Sequence, residues 1–214
     1  MPIKKHSSGF SLVEMAVVLI ILGLLIGAFI APISAQLDQT RNSEARRDIL
    51  EIKEALLGFA VVNGFFPCPD TTNDGLADAC ANANPNDTTG GNIPWSTLGL
   101  KASDPWGQAY QYHVNNAFTA IFNLSTTGIG AGIIRVCTTS ACAITEASDV
   151  PLVVYSLGKN GGVVPPATAD EAENTDGDTD FVNHDFVEGG YDDVLAWIST
   201  NVLMNKMVTV GRLP

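Results

Sequence analysis

The stretch Lys4-Lys5-His6-Ser7-Ser8-Gly9-Phe10-Ser11-Leu12-Val13-Glu14, followed by the uncharged run from Met15 to Leu37, decides how this chain is read. As a helix, a run of that length suffices to cross a bilayer, which takes about 20 apolar residues. Glu14 is the anomaly. A carboxylate beside such a run is costly in hydrocarbon unless a partner neutralises it, which marks it as a functional residue. The nearest cation on offer is a new amino terminus at Phe10, and it exists only if the chain is cut after Gly9. Lys4 and Lys5 ahead of the run place the amino terminus in the cytoplasm and the rest of the chain outside. An ordinary secretory signal cleaved near Ile33-Ser34-Ala35 and a plain single-pass anchor are the competing readings. Both leave Gly9-Phe10 and Glu14 without a role, and the run exceeds the ~7 to 15 apolar residues of a secretory signal.

Past Leu37 the helical pattern continues. Ala45, Ile49, Ile52, Leu56, Phe59 and Asn63 recur at spacings of three and four, all but the last apolar, while Arg41, Arg47, Glu51 and Glu54 fall elsewhere. The expectation is one helix over 10–62, ~80 Å long at the usual rise, with its membrane half over 10–37 and its second half packed on a globular domain at 63–214. Pro32 should bend or loosen the helix. Gly23 and Gly27 have the small-xxx-small spacing that lets helices approach closely in a membrane, or simply reflect the tolerance of membrane helices for Gly. Gly64 ends the helix, and the Asn, Asp, Thr, Pro and Gly residues that follow as far as Gly91 read as loop.

Ile93 to Leu100 reads as a short helix or turn, and the aromatics alternating after Asp104-Pro105-Trp106-Gly107 read as the start of a strand. Further strands are expected at Phe118 to Leu124, Ile133 to Cys137 and Leu152 to Ser156. Val194 to Ile198 reads as a last strand, followed by a helix capped by Ser199 or Thr200 and reaching Met207; a single helix over the whole span is the alternative. The fold class is α+β, a long helix packed against a small antiparallel sheet.

The formal charge of the 214 residues is -12. Removal of the leader makes it -14, nine bases then facing 23 acids. Such a field repels phosphates, so no nucleic-acid partner is expected. Cys68, Cys80, Cys137 and Cys142 all fall in the external part, where disulfides are permitted. Three connectivities are possible, and proximity favours Cys68 with Cys80 and Cys137 with Cys142.

The leader arrangement resembles that of type IV pilins and type II secretion pseudopilins, with Gly9 before the cut, Phe10 as first mature residue and Glu14 as the fifth. The resemblance implies that a prepilin peptidase cuts between Gly9 and Phe10 and methylates the new amino group. It also implies that Glu14 pairs with the amino terminus of a neighbouring subunit during filament assembly. It extends beyond the leader. Asp104-Pro105-Trp106-Gly107 with Tyr110-Gln111-Tyr112 is similar to the turn that opens the pseudopilin sheet. Ser156-Leu157-Gly158-Lys159-Asn160-Gly161, answered by Tyr191-Asp192-Asp193-Val194, looks like the calcium loop of the same domain.

That likeness implies Ca2+ at Asn160, where the family pattern has Asp, and at Asp192 or Asp193. By their own chemistry, the alternating Asp176, Asp178 and Asp180, with Glu173, Asn174 and Asp185 nearby, form a concentration of oxygen donors that suits Ca2+. Asp70-Thr71-Thr72-Asn73-Asp74-Gly75 with Asp78 partly mimics an EF-hand loop, although Thr72 and Ala81 depart from its pattern. No nucleophile, base and oxyanion arrangement can be assembled, so an enzyme is not expected. Trp95, Trp106 and Trp197 are read as packing residues rather than a carbohydrate surface.

The reading that results is a structural subunit of a type IV-like filament, best placed as a type II secretion pseudopilin in the bacterial inner membrane with its globular domain in the periplasm. Its expected partners are other pilin or pseudopilin subunits, the prepilin peptidase and methylase, an inner-membrane assembly platform and membrane lipid. A minor pilin serving adhesion, motility or DNA uptake is the alternative within the superfamily. A membrane-anchored periplasmic protein that binds calcium or carbohydrate is the alternative outside it.

Overall fold

The computed structural model describes residues 11–80, 84–123, 127, 132–187 and 189–213, with the side chains of 28–35 outside the description. Gly9, Phe10 and the side chain of Pro32 therefore lie outside it. One helix, α1, spans Leu12–Asn63, close to the expected 10–62. The chain divides into two compact units, 1–41 and 42–214.

In the first unit the described apolar side chains from Leu12 to Ile26 are all 48% to 87% exposed, on every side of the helix. Gly23 and Gly27 face open space. Among the described residues no helix is long and apolar enough to cross a membrane.

In the second unit, α1 carries a buried stripe of Ala45, Ile49, Ile52, Leu56, Leu57 and Ala60. The expected stripe is right as far as Leu56. It then moves to Leu57 and Ala60, while Phe59 turns its ring edge-on to Phe65 and Asn63 is exposed. Gly64 ends the helix with φ +82, a left-handed conformation that glycine adopts without a Cβ penalty.

After α1 come β1 (Thr88–Asn92), α2 (Trp95–Leu98), β2 (Gln111–Asn115), β3 (Ile134–Cys137), β4 (Thr145–Val150), β5 (Leu152–Ser156), α3 (Ala169–Glu173), β6 (Asp180–Val182), β7 (Val194–Ile198) and α4 (Thr200–Thr209). A four-stranded antiparallel sheet has the order β1-β2-β5-β7. It shares a core with the buried stripe of α1 and with Leu203, Met204 and Met207 of α4. β5 is buried at all five positions, as a strand covered on both faces must be. Its Val153 and Tyr155 belong to a second apolar cluster with Ile134, Val136 and Phe181.

That second cluster reflects an addition that the sequence analysis does not anticipate. A three-stranded sheet of order β4-β3-β6 pairs β3 with β4 antiparallel and β3 with β6 parallel. The strand expected at Phe118 to Leu124 does not form over its described part. Asn116–Phe118 is instead a 3-10 turn. Phe122 stacks edge-on against Phe66, and the backbone of this segment bonds to the helix exit through Phe66 N–H to Phe118 O and Phe122 N–H to Gly64 O, 2.9 and 2.8 Å. β1, expected as loop, pairs with β2 because Gly90 leaves room for the His113 ring, which a Cβ there would overlap.

The disulfides are Cys68–Cys80 and Cys137–Cys142, the pairing favoured by proximity. Trp95 and Trp106 pack against the main core and Trp197 against the second, as read from sequence. Asp48 of α1 accepts from Tyr110 Oη (3.0 Å) and Lys101 Nζ (3.1 Å), which ties the helix to the start of the sheet.

Candidate functional site

Two regions gather the residues singled out by the sequence. At the start of α1, Ser11 and Glu14 bond to each other reciprocally: the Ser11 N–H donates to Glu14 Oε2 at 2.8 Å and the Glu14 N–H donates to Ser11 Oγ at 3.2 Å. This is a capping box, which satisfies backbone donors that the first helical turn leaves open. The Ser-x-x-Glu spacing was present in the sequence as its signal. Glu14 thus has a structural task within its own chain as well as the assembly role that the resemblance implies.

The second region is built on the sheet. Asp104 is buried, and its Oδ1 accepts the N–H groups of Trp106 and Gln108 (3.0 and 2.8 Å), which closes the Asp-Pro-Trp-Gly turn. Its Oδ2 accepts from Ser156 Oγ at 2.5 Å, and Ser156 Oγ in turn accepts the Gly158 N–H at 3.1 Å. Two motifs quoted separately from the sequence are therefore one hydrogen-bonded unit. Gly158 has φ +63, and a Cβ there would overlap the Asp192 carboxylate. Glycine is required here by both conformation and space.

Beyond Gly158, Asp192 and Asp193 meet Glu171 of α3. All three are buried, with one carboxylate oxygen of each within 4.8 Å of the others. Asp192 Oδ2 accepts the Lys159 N–H at 3.1 Å, while its Oδ1 is buried without a hydrogen-bond partner. Asp193 Oδ2 accepts from Asn174 Nδ2 at 2.7 Å. Glu171 Oε1 accepts from Asn160 Nδ2 (2.9 Å) and the Asp192 N–H (3.1 Å), and its Oε2 accepts the Ala167 N–H (3.0 Å). Desolvation, then the Glu171 charge, push Asp192 up to about 6. Desolvation pushes Asp193 up to about 7 against the pull of its Asn174 hydrogen bond. Both shifts report carboxylates held where negative charge is poorly compensated.

Asn160, Asp192 and Asp193 are thus brought together. Asp176, Asp178 and Asp180 are placed differently. Asp176 Oδ1 accepts the Asp178 N–H (3.0 Å), Asp178 Oδ1 accepts the Asp180 N–H (2.6 Å), and Asp180 forms a two-pronged pair with Arg135 through Nε (2.7 Å) and Nη2. Asp178 and Asp180 group with Glu173 rather than with Asp192. Their oxygens serve the local turns and an arginine. In the earlier loop Asp70 accepts the N–H groups of Thr72, Asn73 and Gly75 (3.0, 2.7 and 2.7 Å) and Asp78 those of Thr71 and Thr72 (2.7 and 3.2 Å), so these carboxylates organise a turn from within. His113 lies against Phe181 with its Nδ1 buried and unpartnered, and burial lowers it to about 4, so the ring is neutral.

Glu171 is the residue that sequence reasoning missed at this site. It lies in the long segment 162–188, and its only local signal is Thr168-Ala169-Asp170-Glu171, a helix-start pattern. Thr168 Oγ1 does accept the Glu171 N–H, at 3.2 Å. The donor set fits Ca2+ as the resemblance implies. The carboxylates of Glu171, Asp192 and Asp193 offer the oxygen donors that Ca2+ takes and include a buried oxygen left without a partner, while Asn160 turns its Nδ2 to Glu171.

A family model described as type II secretion system (T2SS), protein G, matches residues 32–131, and one described as the prokaryotic N-terminal methylation motif matches residues 4–30. The protein named type II secretion system core protein G of Pseudomonas aeruginosa is 32% identical over 114 residues, 51% of this chain and 75% of the relative. Its namesake in Vibrio cholerae is 29% identical over 109 residues, 50% of this chain and 71% of the relative. No solved structure matches the chain. The protein G match ends before the carboxylate pocket. By the 32% identity over 75% of the Pseudomonas relative, together with the two family models over residues 4–30 and 32–131, the chain belongs to the type II secretion pseudopilin family.

Proposed function

We propose that this chain is a structural, non-enzymatic subunit of a type II secretion pseudopilus, cut between Gly9 and Phe10 by a prepilin peptidase and methylated on Phe10. Before assembly the first half of α1 rests in the inner membrane, with the amino terminus cytoplasmic and the domain from Asn63 onward periplasmic. Assembly draws it, through an inner-membrane platform, into a filament with other pseudopilin or pilin subunits. Glu14 then leaves lipid to pair with the Phe10 amino group of a neighbour, and removing an ionisable group from hydrocarbon favours docking in register.

The observation that carries this reading is the exposure of every described apolar side chain from Leu12 to Ile26 in one continuous helix whose later turns are buried in a domain core. Exposed apolar surface of that extent requires lipid or other helices to cover it. The same resemblance supports Ca2+ held by Asn160, Asp192 and Asp193. When bound, the ion cross-links the loop after β5 to the approach of β7 by oxygen coordination.

The test is the amino terminus and mass of the full-length protein purified from its host's membranes. A methylated Phe10 is the expected result. An intact Met1, or a start at Gln36, overturns the reading.

A further inference from the structure

The carboxylate of Glu171 stands outside what the resemblance assigns, because α3 belongs to the segment 162–188 that separates the two halves of the proposed calcium loop. We infer that Glu171 is a third carboxylate ligand of that site, so that Ca2+ fastens the inserted segment to the body of the domain. This inference rests on the calcium reading given above.

Three observations carry it. First, three carboxylates are buried side by side. Glu171, Asp192 and Asp193 are 3%, 8% and 4% exposed, with one carboxylate oxygen of each within 4.8 Å of the others. The groups that hydrogen-bond to Glu171 and Asp193 are backbone N–H groups and the amides of Asn160 and Asn174. These are dipoles and carry no net positive charge. The Lys159 charge acts on Asp192, one cation beside three carboxylates. Buried like charges side by side are relieved either by taking up a proton or by a counter-charge, and a bound cation is the relief that leaves all three carboxylates free to act as ligands.

Second, Asp192 Oδ1 is buried and has no hydrogen-bond partner, although buried oxygens are almost always satisfied. Third, a cavity of about 30 Å³ is lined by Asn160, Glu171 and Asp193, room for a single ion or water. Ca2+ affinity is set largely by the number of charged ligands. Asn160 offers a neutral amide where the family pattern has a carboxylate, and Glu171 returns the missing charge from a different part of the chain.

The capping arrangement supplies the positioning. Thr168 holds the Glu171 N–H, and the Ala167 N–H holds Oε2. One carboxylate oxygen thus reaches back to the backbone just ahead of α3, which holds the other against the Asp192 N–H and Asn160.

The experiment uses the full chain in detergent, stripped with EGTA and titrated with Ca2+ by calorimetry, alongside Glu171→Gln and Asp193→Asn. Amide exchange over residues 165–174 is followed with and without the ion. One Ca2+ is expected per chain, with affinity lowered about tenfold or more in Glu171→Gln and exchange over 165–174 slowed by Ca2+ in the wild type. Unchanged affinity in Glu171→Gln, with exchange indifferent to Ca2+, overturns the role of Glu171. Loss of binding in Asp193→Asn would then leave the calcium reading standing. A wild-type chain that takes up no Ca2+ overturns both. If Glu171→Gln fails to fold by near-UV circular dichroism, the wild-type exchange measurement decides alone.

Discussion

The two ends of α1 show how little secondary structure says about what a helix is for. From Leu12 to Ile26 the apolar side chains point in all directions and none is buried, whereas from Ala45 to Ala60 the buried ones line a single stripe. Each end holds a carboxylate. Glu14 bonds to Ser11 alone among the described residues, and Asp48 is buried against Lys101 and Tyr110. An amphipathic stripe is completed by the chain's own sheet, whereas an all-round apolar surface is completed by something outside the chain. One half is therefore a folding element, and the other, on the proposed function, is an assembly element.

The contrast is most exposed to failure at Leu56, which is fully buried. Leu56→Ala should destabilise the domain by about 2 to 5 kcal/mol, transfer and cavity costs together. Denaturant unfolding of the full chain in detergent, followed by near-UV circular dichroism, measures it, and a loss below about 1 kcal/mol would mean that the second half of α1 is not part of the core.

A smaller effect, about 1 to 3 kcal/mol, is expected for Asp48→Ala, which leaves the buried Tyr110 hydroxyl without its acceptor and the Lys101 ammonium with Glu44 alone. Unchanged stability in that assay would show the Asp48 contacts to be incidental. The smallest effect belongs to Leu19→Ala, which should alter domain unfolding by no more than ~0.5 kcal/mol while weakening retention in membranes washed with high salt and carbonate. A large unfolding effect at Leu19 would erase the distinction between the two halves.

The carboxylate groups teach a related lesson about reading sites from sequence. Asp176, Asp178 and Asp180 stand out in the sequence by alternation; an oxygen of each meets a neighbouring N–H or Arg135, and Asp178 and Asp180 also gather with Glu173. Local spacing finds turns well because turns are made of near neighbours. Glu171 and Asp193, 22 positions apart by their numbers, share a pocket that no local spacing announces. Likewise the bond between Asp104 and Ser156 joins two motifs that sequence alone shows only as separate resemblances.

Much of the architecture was legible before any coordinates. The long helix, its end at Gly64, the strands at β2, β3, β5 and β7, the final helix and both disulfides follow from periodicity, glycine placement and cysteine proximity. The short strands β1, β4 and β6 did not show, because β1 and β4 are polar or glycine-rich and β6 is three residues long, so all three gain their order from the partners they pair with rather than from intrinsic preference. The segment near Phe122 misled in the opposite sense. Its apolar residues suit a strand, but aromatic stacking against Phe66 and backbone bonds to the end of α1 claim it first.

By itself the sequence determined the position of Glu14 ahead of its uncharged run, the continuous helix and the family to which the chain belongs. These depend on near-neighbour order and on transfer of side chains between water and lipid, both of which are written along the chain. The tertiary structure alone decided that α1 packs by Leu57 and Ala60 after Leu56, that the inserted segment contributes a strand to a second sheet, and that Glu171 joins Asp192 and Asp193. Those outcomes depend on which distant groups must be buried together and how their charges and hydrogen bonds are met once water is gone.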